Sequence, residues 1–381
     1  MATRYCNVDL ASGANDGTSE ANAYQDFSTA VAATVAGDVL YVKKASSRHD
    51  DGGITISNNG TKAAFITIEG YETTPGDNGR FEYGDYFEID GDYILLKNID
   101  VEMSRASTNG VVRVDSTSEK VIIHNCRIYN TNTGNYMTVR VNTACVITDS
   151  EIISDGNITT DQRGVIDLNS FDGLLVCGCI IRGKKGIDLR PYFHGVTIEG
   201  CLFFDAPNQA MERGIHLDMQ SGTSQTGEVA ILNNTIHASD CGIEVIENLD
   251  AGEGVTFVIR GNVIYGDGSS DGIRNEDTDS TVGPSICFNA TGNMSTDDHG
   301  ITGWGHAGST GQASSGIYGN IQLSADPFVD KDNRDYRLNG TAGGGAECRA
   351  AMGFSVGLTA SNRRDIGAYG HSGLIERVSV G

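Results

Sequence analysis

The stretch Val121-Ile122-Ile123-His124-Asn125 decides how the rest of the chain is read. A short β-branched run stops on an asparagine, a residue that tolerates the left-handed backbone of a sharp corner. The pattern recurs. Ile66-Thr67-Ile68-Glu69-Gly70, Leu95-Leu96-Lys97-Asn98, Cys145-Val146-Ile147-Thr148-Asp149 and Val196-Thr197-Ile198-Glu199-Gly200 share it. So do Leu174-Leu175-Val176-Cys177-Gly178, Val229-Ala230-Ile231-Leu232-Asn233 and Phe257-Val258-Ile259-Arg260-Gly261, with a weaker copy ending at Gly292. The corner marks at 70, 98, 125, 149, 178, 200, 233, 261 and 292 are 22 to 33 residues apart. A fixed strand with a variable remainder is one structural turn with loops of differing length.

A second strand follows most marks as an apolar–polar–apolar triplet. The triplets are Val112-Arg113-Val114, Val139-Arg140-Val141, Ile166-Asp167-Leu168, Ile187-Asp188-Leu189, Ile215-His216-Leu217 and Ile243-Glu244-Val245, with Ile273-Arg274-Asn275 a poorer member. Period-2 alternation buries one face and leaves the other wet. Leucine is too sparse for a leucine-rich repeat, and propeller blades are longer. The expectation is an all-β, right-handed parallel β-helix solenoid with an N-terminal capping helix and an irregular C-terminal cap. Residues 25–35 read as the capping helix, with Phe27, Val31 and Val35 on one face, and Val39-Leu40-Tyr41-Val42 as the first strand. The expected divisions are 1–38 for the N-terminal segment and capping helix, 39–295 for the coils and 296–381 for the cap and attachment region.

Composition agrees. Of 381 residues, 50 are glycine and only 5 proline, and 39% are hydrophobic, which separates the chain from both disorder and helical bundles. With 27 Lys plus Arg against 50 Asp plus Glu, the formal charge is −23, so a nucleic-acid partner is not expected. An anionic polymer would need a locally basic groove. No apolar stretch reaches the ~20 residues of a membrane span, so membrane insertion is not expected. The opening Met1-Ala2-Thr3-Arg4 has no basic-then-apolar leader, from which assembly in a reducing cytoplasm and nine free, buried cysteines are expected. Without CxxC or CxxH a zinc site is not expected, and no metal ligand or cofactor is assigned.

Several segments resemble the right-handed parallel β-helix superfamily of pectate-lyase-like proteins. They are Asn15-Asp16-Gly17-Thr18, the plug helix and Gly37-Asp38-Val39-Leu40-Tyr41-Val42, then Asp326-Pro327-Phe328-Val329-Asp330, Asp335-Tyr336-Arg337-Leu338 and Asp365-Ile366-Gly367-Ala368-Tyr369. The resemblance spans roughly residues 4–370 and implies the fold; the superfamily contains lyases, glycosidases, epimerases and phage virion proteins. The stretch from Gly37-Asp38 through Asn59-Gly60-Thr61 to Ile66-Thr67-Ile68-Glu69-Gly70-Tyr71 also resembles β-helix proteins of tailed-phage virions. A lyase of the family implies clustered calcium-binding carboxylates and a basic arginine in an Arg-x-Pro-x-x-Arg run. Here Arg190-Pro191-Tyr192-Phe193-His194 ends in histidine. Ser239-Asp240-Cys241-Gly242 and Gly305-His306-Ala307 are likewise incomplete against the polygalacturonase set.

The middle positions of the triplets form a column: Arg113, Arg140, Asp167, Asp188, His216, Glu244 and Arg274, with Arg190 and Asp218 two residues on from Asp188 and His216. Asp167, Asp188, Arg190, His216, Asp218 and Glu244 are the candidate glycan or partner face; no catalytic set is assigned. A solvated face with mixed charges is the plainer reading of the same column. Trp304, the only tryptophan, is the candidate contact aromatic. The residue after each corner, from Cys126 and Ser150 to Asn234, Asn262 and Asn293, reads as a structural ladder of small and amide side chains.

The favoured functional expectation is a phage virion structural protein, a capsid decoration or spike. It would form a homotrimer, contact other virion proteins and reach host surface polysaccharide. The alternative is a polysaccharide depolymerase, lyase or glycoside hydrolase, acting through the acidic face.

Overall fold

The computed structural model describes residues 2–105, 110–134, 136–157, 164–168, 172–190, 194–219, 226–247, 254–268, 271–275, 285–287, 289–293, 296–299 and 321–351. The chain is an all-β parallel β-helix, divided into two units, Met1–Leu175 and Val176–Gly381.

In the first unit three parallel sheets are built by strands from successive coils. The first sheet stacks Thr3–Cys6, Val39–Lys43, Ile66–Tyr71, Ile94–Lys97, Val121–His124 and Cys145–Thr148. The second stacks Phe81–Tyr83, Ile99–Met103, Arg127–Asn130 and Glu151–Ser154. The third stacks Ile54–Ile56, Phe87–Ile89, Val112–Val114, Val139–Val141 and Ile166–Leu168. Alternation governs burial as the sequence implies: in Val121–His124, Val121 and Ile123 point into the core while Ile122 and His124 are half-exposed. The first strand is Thr3–Cys6, one coil earlier than expected, since it pairs in register with Val39–Val42.

The capping helix is shorter than expected, Phe27–Ala32. Asp26 caps it, its Oδ1 accepting from Thr29 N at 2.6 Å. Phe27 and Val31 are buried, but Val35 lies beyond the last turn and is exposed. Phe27 meets Phe81, Tyr83 and Phe87 at ring-centroid distances of 5.0, 5.6 and 5.9 Å.

In the second unit the first sheet stacks His194–Glu199, Thr226–Leu232, Gly254–Arg260 and Ser285–Cys287. The second stacks Ile180–Arg182, Leu202–Phe204, Thr235–His237, Val263–Tyr265, Ala290–Gly292 and Ile321–Leu323. The third stacks Lys185–Leu189, Arg213–Met219, Cys241–Glu247, Asp271–Asn275 and Thr296–His299. Coils therefore continue past residue 295, through Thr296–His299 and Ile321–Leu323. The segment expected to cap the end instead forms an antiparallel pair, Phe328–Asp330 with Asp335–Leu338, and helix Gly345–Ala351. Phe328, Tyr336, Leu338 and Cys348 pack on Leu202, Phe204, Val263 and Tyr265, so this segment covers a flank of the second sheet.

Seven of the nine corner marks, Asn98, Asn125, Asp149, Gly178, Gly200, Asn233 and Gly261, have φ between +50° and +71°. Gly70 is not a corner. Its strand runs on to Tyr71, and a Cβ there would lie 2.0 Å from Asn98 O, so glycine is required for close backbone approach. Gly292 is likewise inside a strand, and Asn293 carries the positive φ. The ladder residue of that coil is Asn289, because Ala290 pairs with Val263.

Asn262 Oδ1 accepts from Asn234 N at 2.9 Å and from Asn234 Nδ2 at 3.0 Å, and Asn289 Oδ1 does the same for Asn262 at 3.0 and 2.9 Å. Each amide also donates to a core-strand carbonyl, Asn262 Nδ2 to Ile231 O at 3.0 Å. Asn262→Ala leaves these buried groups without partners and should cost about 2–3 kcal/mol in urea unfolding. Asn262→Ser should recover part of it, since Ser150 Oγ accepts from Cys126 N at the equivalent position. A loss below about 0.5 kcal/mol would mean water replaces the amide. The eight cysteines whose side chains are described are free, and all but Cys177 are buried.

Candidate functional site

The third sheet of the second unit places Asp188, His216, Glu244 and Arg274 side by side on successive strands. The column is thus in register as the triplets imply, but it is not a wet face. Asp188 is 1%, His216 4% and Glu244 1% exposed. A solvated face is excluded for these three, because neighbouring coils supply charge partners that fill the space water would take.

His216 Nδ1 lies 3.0 Å from Asp188 Oδ1, and His216 Nε2 lies 3.5 Å from Glu244 Oε2, outside hydrogen-bond geometry. Glu244 is clamped by two guanidiniums: Arg213 NH1 is 2.8 Å from Oε2 and Arg274 NH1 is 2.8 Å from Oε1. Asp240 closes the ring, with Arg213 Nε at 3.0 Å from Oδ2 and Arg274 NH2 at 3.0 Å from Oδ1. Arg274 Nε also bonds Asp271 at 2.7 Å. Burial pushes the Asp240 carboxyl up, but the hydrogen bonds from Arg274 and Arg213 outweigh it and hold Asp240 below its ordinary range. Burial opposes the charge on Arg274, while Asp240, Glu244 and Asp271 raise its pKa further. Arg190 Nε is 3.6 Å from Asp188 Oδ2.

The division of labour follows from exposure. Arg190, Arg213 and Arg274 have side chains 15 to 21% exposed, so they reach the surface over buried carboxylates. Both Glu244 oxygens face guanidiniums, so Glu244 is the anchor between Arg213 and Arg274.

Of the expected residues, Asp188, Arg190, His216 and Glu244 come together. Asp167 belongs to the first unit, buried and in register with Arg140. The Asp218 side chain and Trp304 lie outside the described residues, as does the Gly305-His306-Ala307 motif. Arg213 was missed. It stands two residues before the triplet, where the other coils have Lys185, Cys241 and Asp271, so extending the column backwards finds it.

The first unit holds a further cluster of acids, one not singled out from the sequence. Carboxylate oxygens of Glu88, Asp90 and Asp115 lie within 4.8 Å of one another. Arg113 NH1 is 2.5 Å from Glu88 and its NH2 bonds Asp115, so the trio is already partly neutralised. Burial, and next the charge of Asp115, push the Asp90 carboxyl up.

No protein-family profile matches the chain, and no curated protein sequence matches it. Among solved structures it is similar to pectate lyase Pel9A, with a TM-score of 0.64 over 97% of this chain and 96% of that one, at 17% identity. The chain has the pectate-lyase-like fold. Similarity is lower to an alginate lyase from Paenibacillus sp. str. FPU-7, TM-score 0.48, 14% identity, over 83% of this chain and 97% of that one. A PL6 family polysaccharide lyase from Pseudopedobacter saltans gives 0.44 at 14% identity, over 89% and 96%. At 17% identity the likeness to pectate lyase Pel9A is one of fold.

Proposed function

We propose that the chain is a depolymerase of acidic polysaccharides, working on the third-sheet face of the second unit. The observation that carries this is the arginine trio, Arg190, Arg213 and Arg274, held at the surface by the buried Asp188–His216–Glu244 stack. Burying carboxylates outside a hydrophobic core is costly, and a fold gains little stability from it. What it provides is three guanidinium charges in fixed orientation, each part-exposed, although the carboxylates beside them, Asp188, Asp240, Glu244 and Asp271, outnumber them. Such charges bind the acid groups of a polymer and stabilise negative charge that develops during bond cleavage. The fold likeness to pectate lyase Pel9A supports the same reading, and favours the depolymerase alternative over the virion-surface one.

The test is incubation with polygalacturonate, other uronate polymers and a neutral polysaccharide. New unsaturated ends identify a lyase, and reducing ends without unsaturation a hydrolase. Arg190→Gln should lower the rate on the order of a hundredfold, as loss of one fixed charge at a reacting group does. Folded protein that cleaves no acidic polymer, or an Arg190→Gln variant with the full rate, would remove the proposal.

A further inference from the structure

We infer that Arg140 and Asn142, on the third sheet of the first unit, form a docking point for an oxyanion carried by an acidic saccharide. The Arg140 side chain makes no hydrogen bond or ion pair among the described residues, and its Nε is buried without a partner. Arg80 and Arg334 also lack an acid among the described residues, but Arg80 bonds Asn125 and Arg334 lies over the Phe204 ring, whereas the Arg140 side chain has neither kind of partner.

Its surroundings sharpen the point. Arg113 is its register neighbour on the preceding strand, and adjacent parallel strands lie about 4.8 Å apart. Two guanidiniums that close destabilise the pair unless anions intervene. Arg113 has its anions, Glu88 and Asp115. Arg140 has none. The next register partner, Asp167, is sealed from solvent and makes no ion pair with Arg140.

Asn142 follows two residues on, so it projects from the same face. Its backbone N–H is used, donating to Val114 O at 3.0 Å, while its side-chain amide bonds nothing among the described residues. A guanidinium fork takes a carboxylate or sulfate oxygen pair, and an amide beside it takes a hydroxyl. Those two groups occur together on a sugar acid. The saccharide as source of the anion rests on the function proposed above; the site itself rests on Arg140 and Asn142.

The experiment is calorimetric titration of the full chain with trigalacturonate, a neutral galactose trisaccharide and inorganic sulfate, with thermal unfolding as a check that variants fold. Trigalacturonate should bind, and Arg140→Gln should weaken it at least tenfold, the scale of about 1.5–3 kcal/mol for a hydrogen bond to a charged group. Asn142→Ala should weaken it about threefold. Arg105→Gln, an exposed arginine of the same unit paired with Asp85, should leave it unchanged. Equal affinity in wild type and Arg140→Gln, or no binding of either trigalacturonate or sulfate, would overturn the site. Sulfate binding as tightly as trigalacturonate would overturn the saccharide as its occupant. The readout is binding, so a chain that cleaves no polymer yet binds through Arg140 keeps this site and loses only the depolymerase.

Discussion

Glu244→Ala should destabilise the second unit by about 3–5 kcal/mol, the cost of breaking a buried ion pair from one side. Two guanidiniums lose their contact at once, since Arg213 and Arg274 each stand 2.8 Å from Glu244. Asp240 still faces both and Asp271 still faces Arg274, but the Asp240 side chain is far more exposed than that of Glu244. His216 also loses the carboxylate 3.5 Å from its Nε2. Glu244→Gln should cost less, because the amide oxygen still accepts from one arginine. Urea unfolding gives the total, and hydrogen exchange in Arg213–Met219 and Cys241–Glu247 shows where it falls. A loss below about 1 kcal/mol would mean the two arginines turn outward and are solvated, and the idea of a rigid charged face would go with it.

Phe27→Ala should cost a similar amount, about 3–5 kcal/mol, for a different reason. Phe27 is fully buried and fills the space among Phe81, Tyr83 and Phe87, residues of the second and third sheets. Removing the ring leaves a cavity bounded by strand side chains that can shift little. Asp26→Ala, which removes only the helix cap, should cost about 1 kcal/mol. The ratio separates plugging from helix formation. Near-equal losses would show that the helix matters through its own stability and that the rings close over the gap.

The corners and triplets were legible because both depend on backbone geometry. A left-handed corner admits few residue types, and a strand inside a coil must alternate. Seven corners and the triplet column are where that reasoning put them. Gly70 misled because glycine serves close approach as well as turning, and composition alone does not separate the two. Val35 misled because spacing says which residues share a helix face but not where the helix stops. At the site, register brought Asp188, His216 and Glu244 together from the triplets. Their burial was not legible: alternation says which way a side chain points and nothing about what covers it. The ring through Asp240 was hidden for another reason, since two of its members, Arg213 and Asp240, come from positions outside the triplets.

The dependence of register on short local signals bears on how such a chain changes over generations. In the first unit, excision of residues 99–125 would join Asn98 to Cys126. Cys145–Thr148 would then face Ile94–Lys97, and Arg127–Asn130 would follow Phe81–Tyr83, each with the same inward side chains as before. One coil is thereby a heritable cassette, gained by duplication or lost by deletion without a frame of contacts to renegotiate. The charged column does not share this freedom: His216 needs Asp188 before it and Glu244 after it, so the coils that carry them are bound to travel as a set.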